Sequence, residues 1–76
     1  MTVAPQRRIG IRSETIDLGA LLKLAQVAAT GGEAKHLIRD GRITVNGQVE
    51  RRRGRQIRPG DLIDAAGTVL TVEREG

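Results

Sequence analysis

The chain has no cysteine, no phenylalanine, tyrosine or tryptophan, one histidine and two prolines among its 76 residues. Without cysteine there is no disulfide framework, and a lone imidazole with no thiolate partners cannot assemble a structural zinc site. Without aromatic rings the core must be aliphatic, drawn from the 20 Ile, Leu and Val residues. A single-stranded nucleic acid would also find no ring on which to stack its bases. The longest apolar run is only a few residues, and Arg7 and Arg8 have no hydrophobic segment behind them. Neither membrane insertion nor export is expected, which places the chain in the cytoplasm. A chain of this length holds one domain, with a core near the size where stability becomes marginal.

Charge is what the chain has in abundance. Thirteen Lys and Arg oppose nine Asp and Glu, for a net +4. The excess is concentrated: residues 32–58 carry eight bases (Lys35, Arg39, Arg42, Arg51, Arg52, Arg53, Arg55, Arg58) against Glu33, Asp40 and Glu50. Eleven of the thirteen bases are arginine, whose planar fork suits phosphate contacts. An acidic polymer is the natural partner.

Residues 1–7, with Pro5 and no periodicity, are expected to form a mobile N-terminal tail, and 8–76 a single domain. Arg8-Ile9-Gly10-Ile11-Arg12 alternates with period two, as a short edge strand would. From Asp17 as N-cap, Leu18, Leu21, Leu22 and Ala25 recur at helical spacing and predict a first helix running to about Ala28. Thr30 to Glu33 has capping-box spacing, the hydroxyl serving the Glu33 amide and the carboxylate the Thr30 amide. A second helix follows, with Ala34, Leu37 and Ile38 on its apolar side and Gly41 just past its end. Ile43-Thr44-Val45-Asn46-Gly47-Gln48-Val49 is a hairpin signal. A two-residue turn would set Val45 against Gln48 and Ile43 against Glu50, so parity favours a three-residue loop that pairs Val45 with Val49 and makes Gly47 left-handed. Continuing that strand would drive arginines into the core, so residues 51–55 must leave the sheet as a loop. Arg58-Pro59-Gly60-Asp61 signals a turn, and residues 62–64 and 68–72 read as strands around Ala66-Gly67. The fold class is α+β: two packed helices followed by a small, mainly antiparallel sheet.

The string from Gly32 to Gly47, GEAKHLIRDGRITVNG, resembles the signature of the S-four RNA-binding domain, the alpha-L motif. In that family a helix carrying A-x-x-L-I-x-x-G runs into a strand ending V-N-G, and a later G-D introduces another strand. Ala34, Leu37, Ile38, Gly41, Val45, Asn46, Gly47, Gly60 and Asp61 match, and the resemblance extends over about residues 16–65. Gly31-Gly32 ahead of Ala34-Lys35 is closer to the small stand-alone bacterial members than to the more usual Ser-Arg start. The resemblance implies a module for structured RNA, ribosomal RNA in particular.

Lys35, Arg39 and Arg42 fall at i, i+4 and i+7, one stripe beside the apolar face. If that stripe and the arginine loop face the same way, they make a groove for a phosphate backbone. The expected RNA-binding residues are therefore Lys35, Arg39, Arg42, Asn46, Arg51, Arg52, Arg53 and Arg55. The free amides at Gly31-Gly32 could hold an anion, but Glu33 offers the simpler capping role. The spacing of a Walker loop is absent, and His36, with Asp40 at i+4, has no nucleophile or second ligand beside it. Asp61 in a Pro-Gly-Asp turn has an ordinary structural role. Hence no catalytic residue, cofactor or metal is expected, and a monomer bound to structured RNA is the expected state. The rivals are an adaptor docking an acidic protein and a binder of duplex DNA, although strands after Asn-Gly in place of a third helix argue against the latter.

Overall fold

The computed structural model describes residues 6–75. Its elements in chain order are strands β1 (Gln6–Ile11) and β2 (Ile16–Asp17), helices α1 (Leu18–Leu24) and α2 (Gly31–Arg39), and strands β3 (Ile43–Val45), β4 (Gln48–Val49), β5 (Gln56–Ile57), β6 (Leu62–Ala65) and β7 (Thr68–Arg74). Five strands form one sheet in the order β1-β7-β6-β3-β4, and β2 pairs with β5 as a separate antiparallel ribbon. Only β1 against β7 is parallel within the large sheet. Among the described residues no helix is long and apolar enough to cross a membrane.

Period-two alternation gives the sheet one buried face. Ile9 and Ile11 on β1, Leu70 and Val72 on β7, Ile63 and Ala65 on β6, and Ile43 and Val45 on β3 all point into the core. The helices cover that face with Leu18, Leu21, Leu22, Ala25, Ala34 and Ile38, all buried in the same cluster. The opposite face, with Arg8, Thr44, Asp64 and Thr71, is left to solvent or half-exposed.

Several expectations hold. Asp17 caps α1, its carboxylate accepting from the Ala20 amide at 2.7 Å, and Thr30 caps α2 through the Glu33 amide at 3.1 Å. Glu33 reaches one residue further back than expected, to the Ala29 amide. Helix α1 ends at Leu24 rather than near Ala28, because Gln26 takes a left-handed φ of 59°. The amides of Gln26 and Val27 then return to the Lys23 and Leu22 carbonyls, a Schellman ending built without glycine. Gly41 ends α2 the same way, with φ of 75° and the Gly41 and Arg42 amides donating to Ile38 and Leu37.

The hairpin differs from expectation. Val45 pairs with Gln48 and Thr44 with Val49 around a two-residue turn in which both Asn46 (φ 51°) and Gly47 (φ 86°) are left-handed. Parity misleads here because β4 is a two-residue edge strand with both residues exposed. Ile43 does face Glu50, whose amide donates to its carbonyl. Strand β1 begins at Gln6, so Gln6 and Arg7 of the expected tail belong to the sheet. Residues 1–5 of that tail lie outside the described residues. Arg7 is a structural residue, its guanidinium donating to the Ala25 carbonyl at the end of α1.

Candidate nucleic-acid interface

The arginine loop is pinned at both its backbone and its one carboxylate. The first amides of α1, on Leu18 and Gly19, donate to the carbonyls of Arg55 (2.9 Å) and Arg53 (3.1 Å). The loop therefore supplies the partners that the start of a helix lacks. Glu50, buried at 8% exposure, accepts from Arg52 and Arg55, each at 3.2 Å. Burial pushes its carboxyl pKa up, but hydrogen bonds and charge from the two guanidiniums prevail and hold it below the ordinary 4.5.

That pairing divides the loop. Arg52 and Arg55 turn to Glu50, while Arg51 turns to the end of α2 and Arg53 lies against Gly19 of α1 at the edge of the α2 groove. Arg51 donates to the Arg39 carbonyl at 2.9 Å, a cation on the negative end of the helix. Lys35, Arg39, Arg51 and Arg53 then line one open groove of about 390 Å³ around Ile38. Among the described residues none of these four makes an ion pair; the pairs present are Arg8 with Glu73 and Arg52 and Arg55 with Glu50. Four unpaired cations around one concavity repel each other, and an anion is what would relieve them.

Of the eight residues expected to bind RNA, four meet in this groove. Arg52 and Arg55 stand beside it with their charge engaged by Glu50. Arg42 is exposed but does not line it. Asn46 is a joint in the fold: its side-chain amide donates to Asp61 at 3.1 Å and its carbonyl oxygen accepts from the Leu62 amide at 3.0 Å. Asp61 also accepts from the Arg58 amide at 2.9 Å. That amide foremost lowers its pKa, against desolvation, with help from Asn46 and from the charges of Arg55 and Arg58. His36 and Asp40 are both exposed and form no ion pair. Among the described residues no group of three His, Cys, Asp or Glu is placed to hold a metal ion.

A second open concavity, of about 320 Å³, lies between α1 and the loop and shares Arg53 with the first; Lys23 lines it with Asp17 and Gly54. Lys23 carries no signal in the sequence, because it stands alone on α1, outside the basic segment.

Comparison with known proteins places this geometry. The S4 domain matches residues 9–73. The chain is also 41% identical over 59 residues to a protein of Bacillus subtilis (strain 168) named as a probable ribosome maturation protein, RlbA; the alignment covers 78% of this chain and 83% of that protein. With α2, its Schellman turn and the Asn46-Gly47 hairpin in the order the signature requires, and most of the residues inside the match, the chain belongs to the S4 domain family.

Proposed function

We propose that this protein is a non-catalytic RNA-binding module that works on ribosomal RNA, as a monomer in the cytoplasm, gripping structured RNA by its phosphate backbone in the groove between α2 and the arginine loop. The observation that carries this reading is the convergence of Lys35, Arg39, Arg51 and Arg53 on one concavity, while Arg52 and Arg55 neutralise the nearby Glu50. Membership of the S4 domain family and the likeness to a probable ribosome maturation protein support RNA over an acidic protein as the anion. The missing aromatics support recognition by shape and phosphate over base stacking.

A salt series of binding to purified bacterial ribosomal RNA tests it. Four phosphate contacts give a slope of log affinity on log salt of about −3. Replacing both Lys35 and Arg39 by Glu should flatten it by about 1.5 units. Arg8→Glu is the control, since Arg8 lies on the far face of the sheet and, among the described residues, pairs only with Glu73, at 3.6 Å. A loss from the helix pair of only about twice that from Arg8→Glu, in proportion to the charge changed, would mean that overall charge alone matters. Equal affinity for a DNA duplex of the same sequence would favour a general duplex binder.

A further inference from the structure

We propose that the RNA path does not end in the α2 groove but turns around Arg53 into the second concavity, and that Lys23 is the phosphate-binding residue at its far end. This rests on the RNA-binding reading above and extends it to a helix outside the basic segment.

The junction is built. Arg53 lines both concavities, so a backbone leaving the first groove past Arg53 enters the second. Gly19 fixes the side chain there: a Cβ at position 19 would stand 2.7 Å from Arg53 Cγ, so only glycine lets the arginine lie against α1. The Arg53 carbonyl is held by the Gly19 amide at the same point. Gly54 lines the second concavity, and a Cβ there would meet nothing within 4 Å.

Lys23 has no structural task that accounts for it. It lies in the last turn of α1, where a cation ordinarily serves the helix carbonyls. Three of the last four are already served: Leu21 accepts from the Ala25 amide, Leu22 from Val27 and Ala28, and Lys23 from Gln26, while the Ala25 carbonyl just beyond accepts from Arg7. Lys23 is exposed and makes no ion pair among the described residues. The one carboxylate lining the concavity, Asp17, is turned onto the Ala20 amide as the cap of α1. Lys23 and Arg53 are thus two cations facing a space with room for a ribose-phosphate chain.

The test is binding of the full chain to purified bacterial ribosomal RNA across a salt series, for Lys23→Glu, Gly54→Glu, the Lys35 and Arg39 double variant, and Arg8→Glu. Losing one phosphate contact should weaken binding about 5- to 8-fold at 0.1 M salt and flatten the slope by about 0.7–0.9. Both Lys23→Glu and Gly54→Glu should show this loss relative to Arg8→Glu, with melting temperatures near wild type. Gly54→Glu adds a carboxylate on the lining of the concavity without altering Lys23, so either variant behaving like Arg8→Glu overturns the extension while leaving the first groove standing. If the Lys35 and Arg39 variant also behaves like Arg8→Glu, or the wild type shows no salt-dependent binding, the groove itself fails and the extension with it.

Discussion

Glu50 is the residue on which the interface depends without belonging to it. Its carboxylate takes two of the loop's arginines and leaves Arg51 and Arg53 for the groove. Removing it should cost about 1–3 kcal/mol in Glu50→Ala, the range for charged hydrogen bonds at a buried group. It should also release Arg52 and Arg55, changing RNA affinity more than stability alone explains, as binding measured well below the melting temperature would show. Acid should do the same. The folded carboxyl titrates below 4.5, so the unfolded chain binds the proton more readily. Its contribution is whole above the ordinary value and is lost as pH falls through the lower folded value. Asp61 adds to the loss in the same direction, from 3.8 downward. Urea titrations between about pH 6 and pH 3 should show falling stability that is blunted in Glu50→Gln. Asn46→Gly is the complementary case. It keeps the left-handed turn but cuts the bonds to Asp61 and Leu62, so stability should fall by about 1–2 kcal/mol with the RNA salt slope unchanged. The roles of Glu50 and Asn46 are not legible in the sequence. Composition reveals eight basic residues in a row of elements, but not which of them a buried carboxylate will claim.

At the level of elements, the start of each helix is legible and the end only half so. Asp17 and Thr30 announce α1 and α2 because capping is local chemistry, decided within three residues. Gly41 announces the end of α2 for the same reason. Gln26 hides the end of α1, because the left-handed residue there is not the glycine that ordinarily marks such an ending. The hairpin was readable as a hairpin but not in register, since an exposed two-residue strand obeys no parity. The pairing of β1 with β7 joins residues more than 60 apart, beyond the reach of any local pattern. Gly41 also links element to interface. A Cβ there would come within 2.9 Å of Arg51 Nη2, whereas at Gly47 it would meet nothing within 4 Å. Both glycines have positive φ, so Gly41→Ala and Gly47→Ala should each destabilise by about 1–2 kcal/mol. Only Gly41→Ala should push Arg51 off the end of α2 and weaken RNA binding. Equal affinities for the two variants would remove Arg51 from the interface.

For the whole molecule, stability and binding are coupled through the smallness of the core. Among the described residues sixteen buried apolar side chains, none of them aromatic, hold the fold together. A ligand bound only by the folded state stabilises it by about 2.7 kcal/mol at a hundred times its dissociation constant. In a domain this small each kcal/mol moves the melting temperature by about 4–8 °C. Ribosomal RNA should therefore raise the melting temperature by at least about 10 °C at low salt, and the gain should vanish as salt screens the phosphate contacts. Ile63→Ala, at a fully buried position on β6, should lower the unliganded stability by about 2–5 kcal/mol yet keep the RNA-induced gain, because the groove is intact. Replacing Lys35 and Arg39 by Glu should do the reverse, leaving the unliganded melt nearly unchanged and removing most of the gain. Thermal melts with and without RNA, at low and high salt, separate the two. An undiminished gain in the double variant would mean that RNA stabilises the folded chain through something other than the α2 groove.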